Sequence, residues 1–159
     1  MRYLSLAKAL VIAEAVTGTD PDVLSKSGRI DLLDSALQAP EGSFGGQEFY
    51  PQFVEKAAVL AVRIAQNHPL PDGNERLEWG CLNMFCELNG YRLEVTVDHA
   101  VAQMIAIAAG QIDEAAMTDW LSERLSELIG VPLNEWRADR AHALSIVRTG
   151  PSMQTGCDE

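Results

Sequence analysis

Apolar residues recur at helical spacing along most of this chain. From Tyr3 to Val16, the residues Leu6, Ala9, Leu10, Ala13 and Val16 fall on one face, while Lys8 and Glu14 break the apolar run. The pattern predicts an amphipathic helix, not a signal peptide or a membrane span, with Gly18 as its stop. Asp20-Pro21-Asp22 puts a capping carboxylate ahead of a first-turn proline and predicts a short helix to about Lys26. Ile30 to Gln38 predicts a third helix, ended before Pro40. Two longer segments follow, from Pro51 to Asn67 and from Asn74 to Asn89. Both are rich in Ala, Leu, Val, Ile, Cys and Met, so both are expected to be buried helices.

Beyond them, Gly90 is expected to form a C-cap, Arg92 to Val95 a brief strand or extended link, and Asp98 the cap of the next helix. That helix, His99 to Ala109, carries Val101, Met104, Ile105 and Ile107 and is almost wholly apolar, which places it at the centre of the bundle. Gly110 stops it. Asp113 opens a helix expected to run through Ile129, with Ala116, Trp120, Leu121, Leu125 and Leu128 inward and Glu123, Arg124 and Glu127 outward. Gly130-Val131-Pro132 breaks the chain. Leu133 to Val147 predicts one more amphipathic helix, with Leu133, Trp136, Leu144 and Val147 as its apolar side, and Thr149 to Glu159 is expected to be disordered.

The stretch between the two buried helices is different in kind: His68-Pro69-Leu70-Pro71-Asp72-Gly73-Asn74-Glu75-Arg76. A polar loop there sits at a helix N-terminus, where unpaired N–H groups and the positive dipole end favour an anion. Each residue type suits the handling of phosphate. His68 can take a proton from an attacking hydroxyl near neutral pH. Asp72 is a hard oxygen ligand of the kind Mg²⁺ takes beside phosphate oxygens. Gly73 allows a tight turn and close backbone approach, Asn74 can donate its amide, and Arg76 offers a planar fork. A plainer role fits the same residues: Asp72 or Asn74 as the helix cap, Gly73 as the turn, His68 as the close of the preceding helix.

Composition narrows the partners. At 159 residues and 47% hydrophobic content the chain is expected to be one globular domain with a substantial core. A net charge of −11 argues against nucleic acid as a direct partner and suits a basic protein partner. Cys81, Cys86 and Cys157 are odd in number and lack metal-ligand spacing, and the first two fall in an apolar helix. That fits a reducing cytoplasm. His99 and His142 have no cysteine or carboxylate at ligand spacing and carry no chemistry. Gly42, Gly45 and Gly46 form a glycine-rich stretch, but no Lys-Ser/Thr pair follows, so a phosphate-binding P-loop is excluded. On its residues alone the stretch is a surface turn.

His68, Asp72, Asn74 and Arg76 stand at matching places in the signature His-x-Phe-x-Asp/Glu/Asn-x-Asn-Gly/Lys-Arg, so the loop resembles that of the Fic/Doc family. Several other blocks resemble the Doc (death-on-curing) branch. They are Leu32 to Pro40, Phe44-Gly45-Gly46 followed by Tyr50-Pro51, Glu55-Lys56-Ala57-Ala58, Asn67-His68-Pro69 and Asn89-Gly90-Tyr91. The likeness covers roughly the first four-fifths of the chain. Leu70 replaces the family's Phe, a mild change of volume. Glu75 replaces the Lys of Doc-like members and the Gly of adenylylating Fic members, and puts a negative charge where phosphate should bind. It is either a first-turn acid turned to solvent or a modulator that weakens nucleotide binding.

The resemblance implies an all-α fold of about six or seven helices with a small β-hairpin flap. It divides the chain into a Fic/Doc-like domain at 1–130, an extra C-terminal helix at 131–148 and a tail at 149–159. The extra helix has three possible roles: packing on the bundle, oligomerisation or occupying the cleft. No Ser/Thr-x-x-x-Glu-Gly/Asn inhibitory motif is present. The resemblance also implies a short hairpin at about Gly42 to Phe49, whose flap residues Gly42, Ser43, Phe44, Gly45 and Gly46 would dock the target as an added strand. By the same resemblance the chain is a toxin of a toxin–antitoxin pair, with ATP and Mg²⁺ as cofactors and a small antitoxin as partner. It would transfer a phosphoryl group, or AMP as in the Fic reaction, to a hydroxyl of a protein such as elongation factor Tu. His68 would be the base, Asp72 the metal ligand, and Gly73, Asn74 and Arg76 the phosphate holders. The alternatives are a catalytically silent member that acts by binding, or the acidic, partner-binding half of a complex.

Overall fold

The computed structural model describes residues 1–27 and 29–128. The predicted helix at Leu133–Val147 and the tail after it lie outside these residues.

Ser5 opens the first helix by accepting from the Lys8 N–H, and α1 (Leu6–Thr17) buries Ala9, Ala13 and Val16 before Gly18 ends it in the left-handed region at φ 71°. The Asp20 carboxylate accepts from the Asp22 N–H and starts α2 (Pro21–Ser27). α3 (Ile30–Gln38) buries Leu33, Ala36 and Leu37, and runs into a 3-10 turn at Ala39–Glu41. Next comes the hairpin, β1 (Ser43–Phe44) against β2 (Gln47–Glu48), closed by Gly45 and Gly46, both at positive φ. The Glu55 carboxylate accepts from the Gln52 N–H and helps to start α4 (Phe53–Asn67), which leads through the polar loop to α5 (Asn74–Leu88). β3 (Tyr91–Leu93), α6 (Val97–Ala108), α7 (Glu114–Ser122) and β4 (Leu125–Glu127) complete the order. Among the described residues the fold is therefore all-α, seven helices with two small antiparallel strand pairs. None of these helices is long and apolar enough to cross a membrane.

α4 is the axis of the bundle, with nine of its fifteen residues buried and α3, α5, α6 and α7 packed around it. Ala57, Ala58, Ala61 and Ala65 on its surface are small, so neighbouring helices approach closely. Four rings seal one end of the core. Tyr3 stacks on Phe85, Phe85 on Phe53 and Phe53 on Tyr91, with centroids 6.2, 5.3 and 4.1 Å apart. The N-terminal segment, α4, α5 and β3 are thus joined by one aromatic stack.

Four expectations need correction. The helix expected from Asp113 through Ile129 stops at Ser122, and Leu125 to Glu127 forms β4, paired with β3 so that Leu93 faces Leu125 and Tyr91 faces Glu127. The free backbone groups of Tyr91 to Leu93 are satisfied by this pairing, which outweighs continued helix. On α7 the buried face is Met117 and Leu121, while Ala116 is exposed. Thr96, not Asp98, caps α6, by accepting from the His99 N–H. α6 flanks the bundle: it buries only Ala100, Met104 and Ile107 and leaves Ile105 53% exposed.

Phe85 is the middle of the aromatic stack and is fully buried, so Phe85→Ala should cost about 3–5 kcal/mol, chiefly through the cavity left behind. Urea unfolding should show a lower midpoint at unchanged slope, and an unmoved midpoint would refute the role given to the stack.

Candidate functional site

The loop from His68 to Arg76 is held by its main chain. α4 ends at His68, whose φ of 43° makes it the one non-glycine residue at positive φ among the described residues. Two groups from the start of α3 clamp this turn. Arg29 donates from Nη2 to the His68 carbonyl and from its backbone N–H to the Pro69 carbonyl, each at 2.9 Å. Asn67 donates from Nδ2 to the Leu32 carbonyl at 2.9 Å. The His68 carbonyl faces Arg29, and the residue as a whole is exposed to solvent.

Asn74 completes the loop from inside. It is buried, and its amide pairs with Leu70 at both ends: Oδ1 accepts from the Leu70 N–H and Nδ2 donates to the Leu70 carbonyl, both at 2.8 Å. That two-point contact fixes five residues as a ring. It also uses the amide that the sequence reading offered to phosphate. Leu70, 4% exposed, anchors the loop in the core where the family has Phe.

Gly73 is the N-cap of α5, at φ 79°, and no side chain caps this helix. The first N–H groups of α5 therefore lack a side-chain acceptor, at the positive end of the helix dipole. Gly73 is buried, and a Cβ on it would sit 3.2 Å from Arg76 Nη2 and 3.3 Å from Thr17 Cγ2, so the turn packs closely against both residues and suits glycine. Arg76 stays close to that end, with Nη2 3.7 Å from the Asp72 carboxylate, whose side chain is 94% exposed. Among the described residues no three His, Cys, Asp or Glu side chains converge as a metal site. Any Mg²⁺ held by Asp72 would draw its remaining oxygens from phosphate and water. An uncapped helix end with a guanidinium beside it is chemically suited to a phosphate group. Glu75 is exposed in the same first turn.

A cleft of about 510 Å³ lies beside the hairpin root: Gly42 and Phe49 line it together with Asp31, Asp34, Arg63 and Asn67, the last residue of α4, and none of the residues from His68 to Arg76 reaches it. Of the expected flap residues, only Gly42 reaches this cleft. Ser43, Phe44, Gly45 and Gly46 project beyond it, and Phe44 is 83% exposed. On the cleft wall Tyr50 donates its hydroxyl to Glu114 at 3.0 Å, and Glu114 also pairs with Arg63 at 3.0 Å. Burial and the Glu114 carboxylate raise the Tyr50 hydroxyl above its ordinary pKa.

Four groups of this region escaped the sequence reading. Arg29 lies in a turn without periodicity and gives no signal. Tyr50 was read only as part of a motif. Lys56 too was read only as part of a motif, and no sequence signal separates the buried Lys56 and Glu78 from the exposed Arg63 and Glu75 of the same helices. Glu78 is 1% exposed with neither carboxylate oxygen hydrogen-bonded. Burial first, and the Glu75 carboxylate second, raise its pKa well above the carboxylate range. Nearby, burial and Glu78 push the Cys81 thiol up to about 12, and burial raises Cys86 as well, so both are inert core thiols.

Residues 3–86 match the Fic/DOC family, and the chain belongs to that family. It is similar to Toxin Doc of Mycolicibacterium smegmatis (strain ATCC 700084 / mc(2)155), with 37% identity over 84 residues. The matched stretch is 52% of this chain and 65% of the length of that curated relative.

Two outcomes follow from the loop. Gly73→Ala should cost about 1–3 kcal/mol, because alanine at this positive φ is strained and its methyl crowds Arg76; a thermal melt superimposable on wild type would refute this. For Glu78, the folded state keeps a proton that the unfolded chain releases between the ordinary carboxylate range and the raised value. Its contribution to stability is thus full at acid pH and is lost as pH rises through that window, by up to about 1.4 kcal/mol per unit. Glu78→Leu should flatten this slope and raise the melting temperature at pH 8 relative to pH 5; an unchanged slope in the variant would overturn the reading.

Proposed function

We propose that this chain is a Doc-like toxin of a toxin–antitoxin system that transfers a phosphoryl group from ATP to a hydroxyl of a target protein. The observation that carries the reading is the α5 N-terminus, which no side chain caps, with the Arg76 guanidinium beside its Gly73 N-cap. The similarity to a Toxin Doc supports both the toxin role and the existence of a small antitoxin partner.

The chain's own residues divide the work. His68, fixed at the end of α4, takes the proton from the target hydroxyl as that oxygen attacks. The first N–H groups of α5 and the Arg76 guanidinium bind and orient phosphate oxygens, and Asp72 holds Mg²⁺ beside them. Bound ATP supplies the group to be transferred. Asn74 keeps the loop in shape through Leu70 and is a positioning residue. The hairpin presents a strand edge to the target, for which elongation factor Tu is the leading candidate, and such a target places the protein in the cytoplasm. Positioning and charge stabilisation supply most of the acceleration.

Glu75 favours a second reading, in which the protein binds partners through the same surfaces without transfer. Its carboxylate lies in the first turn of α5, where a bound phosphate would meet like charge.

Label transfer into a bacterial lysate separates these readings. With ATP labelled at the α or the γ phosphate, we expect label from γ alone, reduced about 10²–10⁴-fold in His68→Ala. Label from α would reassign the reaction to AMP transfer. Equal labelling by the variant would remove His68 from the chemistry. No label from either position, together with ATP·Mg²⁺ binding gained in Glu75→Lys or Glu75→Gly, would establish the binding-only reading.

A further inference from the structure

The hairpin raises a physical question that its own residues do not answer. Each strand has two residues, and all six residues from Ser43 to Glu48 are exposed. A two-stranded ribbon of this size is marginal alone, so its direction must be set at its root. The root is narrow: the Phe49 N–H donates to the Gly42 carbonyl at 2.9 Å, and a Cβ on Gly42 would lie 2.9 Å from the Phe49 ring.

Under that root lies Lys56, one turn into α4, with its side chain 2% exposed. Its ammonium donates to the Pro40 carbonyl at 2.9 Å, at the chain entering the hairpin. It also pairs with the Glu48 carboxylate at 3.4 Å, on the strand leaving it. The third side of the ammonium faces the Tyr3 ring, 5.8 Å from its centroid. One charge, which cannot be left buried without partners, therefore ties both legs of the hairpin to α4.

We propose that Lys56 is a positioning residue that holds the flap as a preformed strand edge at a fixed distance from His68. Lys56 lies in α4 and His68 caps the end of the same helix, so about 18 Å of helix rise separates them. A target strand added to the flap is thereby placed relative to the base by a single helix rather than by a mobile loop. A preformed edge spares the complex the ordering of the flap on binding. The docking consequence rests on the function proposed above, whereas the anchoring does not.

Hydrogen exchange on the full chain tests the anchor directly. In Lys56→Met, which keeps the apolar stem, amides 43–49 should exchange about tenfold faster while α5 amides keep wild-type rates. Unchanged flap rates, or equal acceleration in α5, would overturn the proposal, the second by showing a general structural role. If Lys56→Met does not fold, Glu48→Ala is read in the same way, with Glu48→Gln, which retains an acceptor, expected to restore wild-type exchange. In transfer assays with elongation factor Tu as acceptor, Lys56→Met should raise the KM for the protein about tenfold and leave that for ATP unchanged; a matching rise for ATP would refute it. If wild type transfers no label, the proposed function fails, and the exchange result alone still decides the role of Lys56.

Discussion

A charge on the buried side of a helix must find its partners inside the protein, and this constraint organises the molecule. α4 has α3, α5, α6 and α7 packed on it and leaves only a stripe that includes Arg63 and Gln66 exposed, so a charge on its other side must find partners within. Lys56 does so near one end, under the hairpin, and the chain emerges as the His68 loop at the other. The hairpin root and the His68 loop therefore lie towards opposite ends of one helix, and the cleft beside it runs from the hairpin root to Asn67.

Electrostatics at the loop are a contest of opposed terms over a few ångströms. The open start of α5 and the Arg76 guanidinium favour an anion, whereas Asp72 and Glu75 oppose one. Asp72 partly neutralises Arg76 at 3.7 Å, although an exposed pair of this kind is weak. Glu78, one turn further into the helix, is kept from adding to the negative side by burial, which favours its neutral form. Glu75 is thus the first-turn charge that weighs most directly against phosphate.

Much of the fold was legible in the sequence because its boundaries are written in residues with one strong local meaning. Pro40 bounds α3, Gly18 and Gly110 stop α1 and α6, and Gly45-Gly46 turns the hairpin. Errors arose where a local pattern had two solutions. Leu125-Ser126-Glu127 fits a helical face and equally a strand, and the choice was made by pairing with Tyr91 to Leu93, a partner distant in sequence. α6 is apolar enough for a central place, but Ile105 stands on an uncovered face, and coverage is a property of neighbours rather than of composition. At the candidate site, the polar side chains of the loop could be singled out from the sequence, while the groups that hold the loop's main chain could not. Arg29 acts on carbonyl oxygens, which every residue has, so no sequence pattern announces it.

That mode of support has an evolutionary consequence. The loop's shape is specified through main-chain atoms of His68, Pro69 and Leu70, grasped by Arg29 and Asn74. Residues that face outward from it, such as Asp72 and Glu75, contribute little to that grip. Descent can then alter the chemistry of the loop while its scaffold is inherited intact, and a member that changes or abandons its reaction keeps the outline of one that has not.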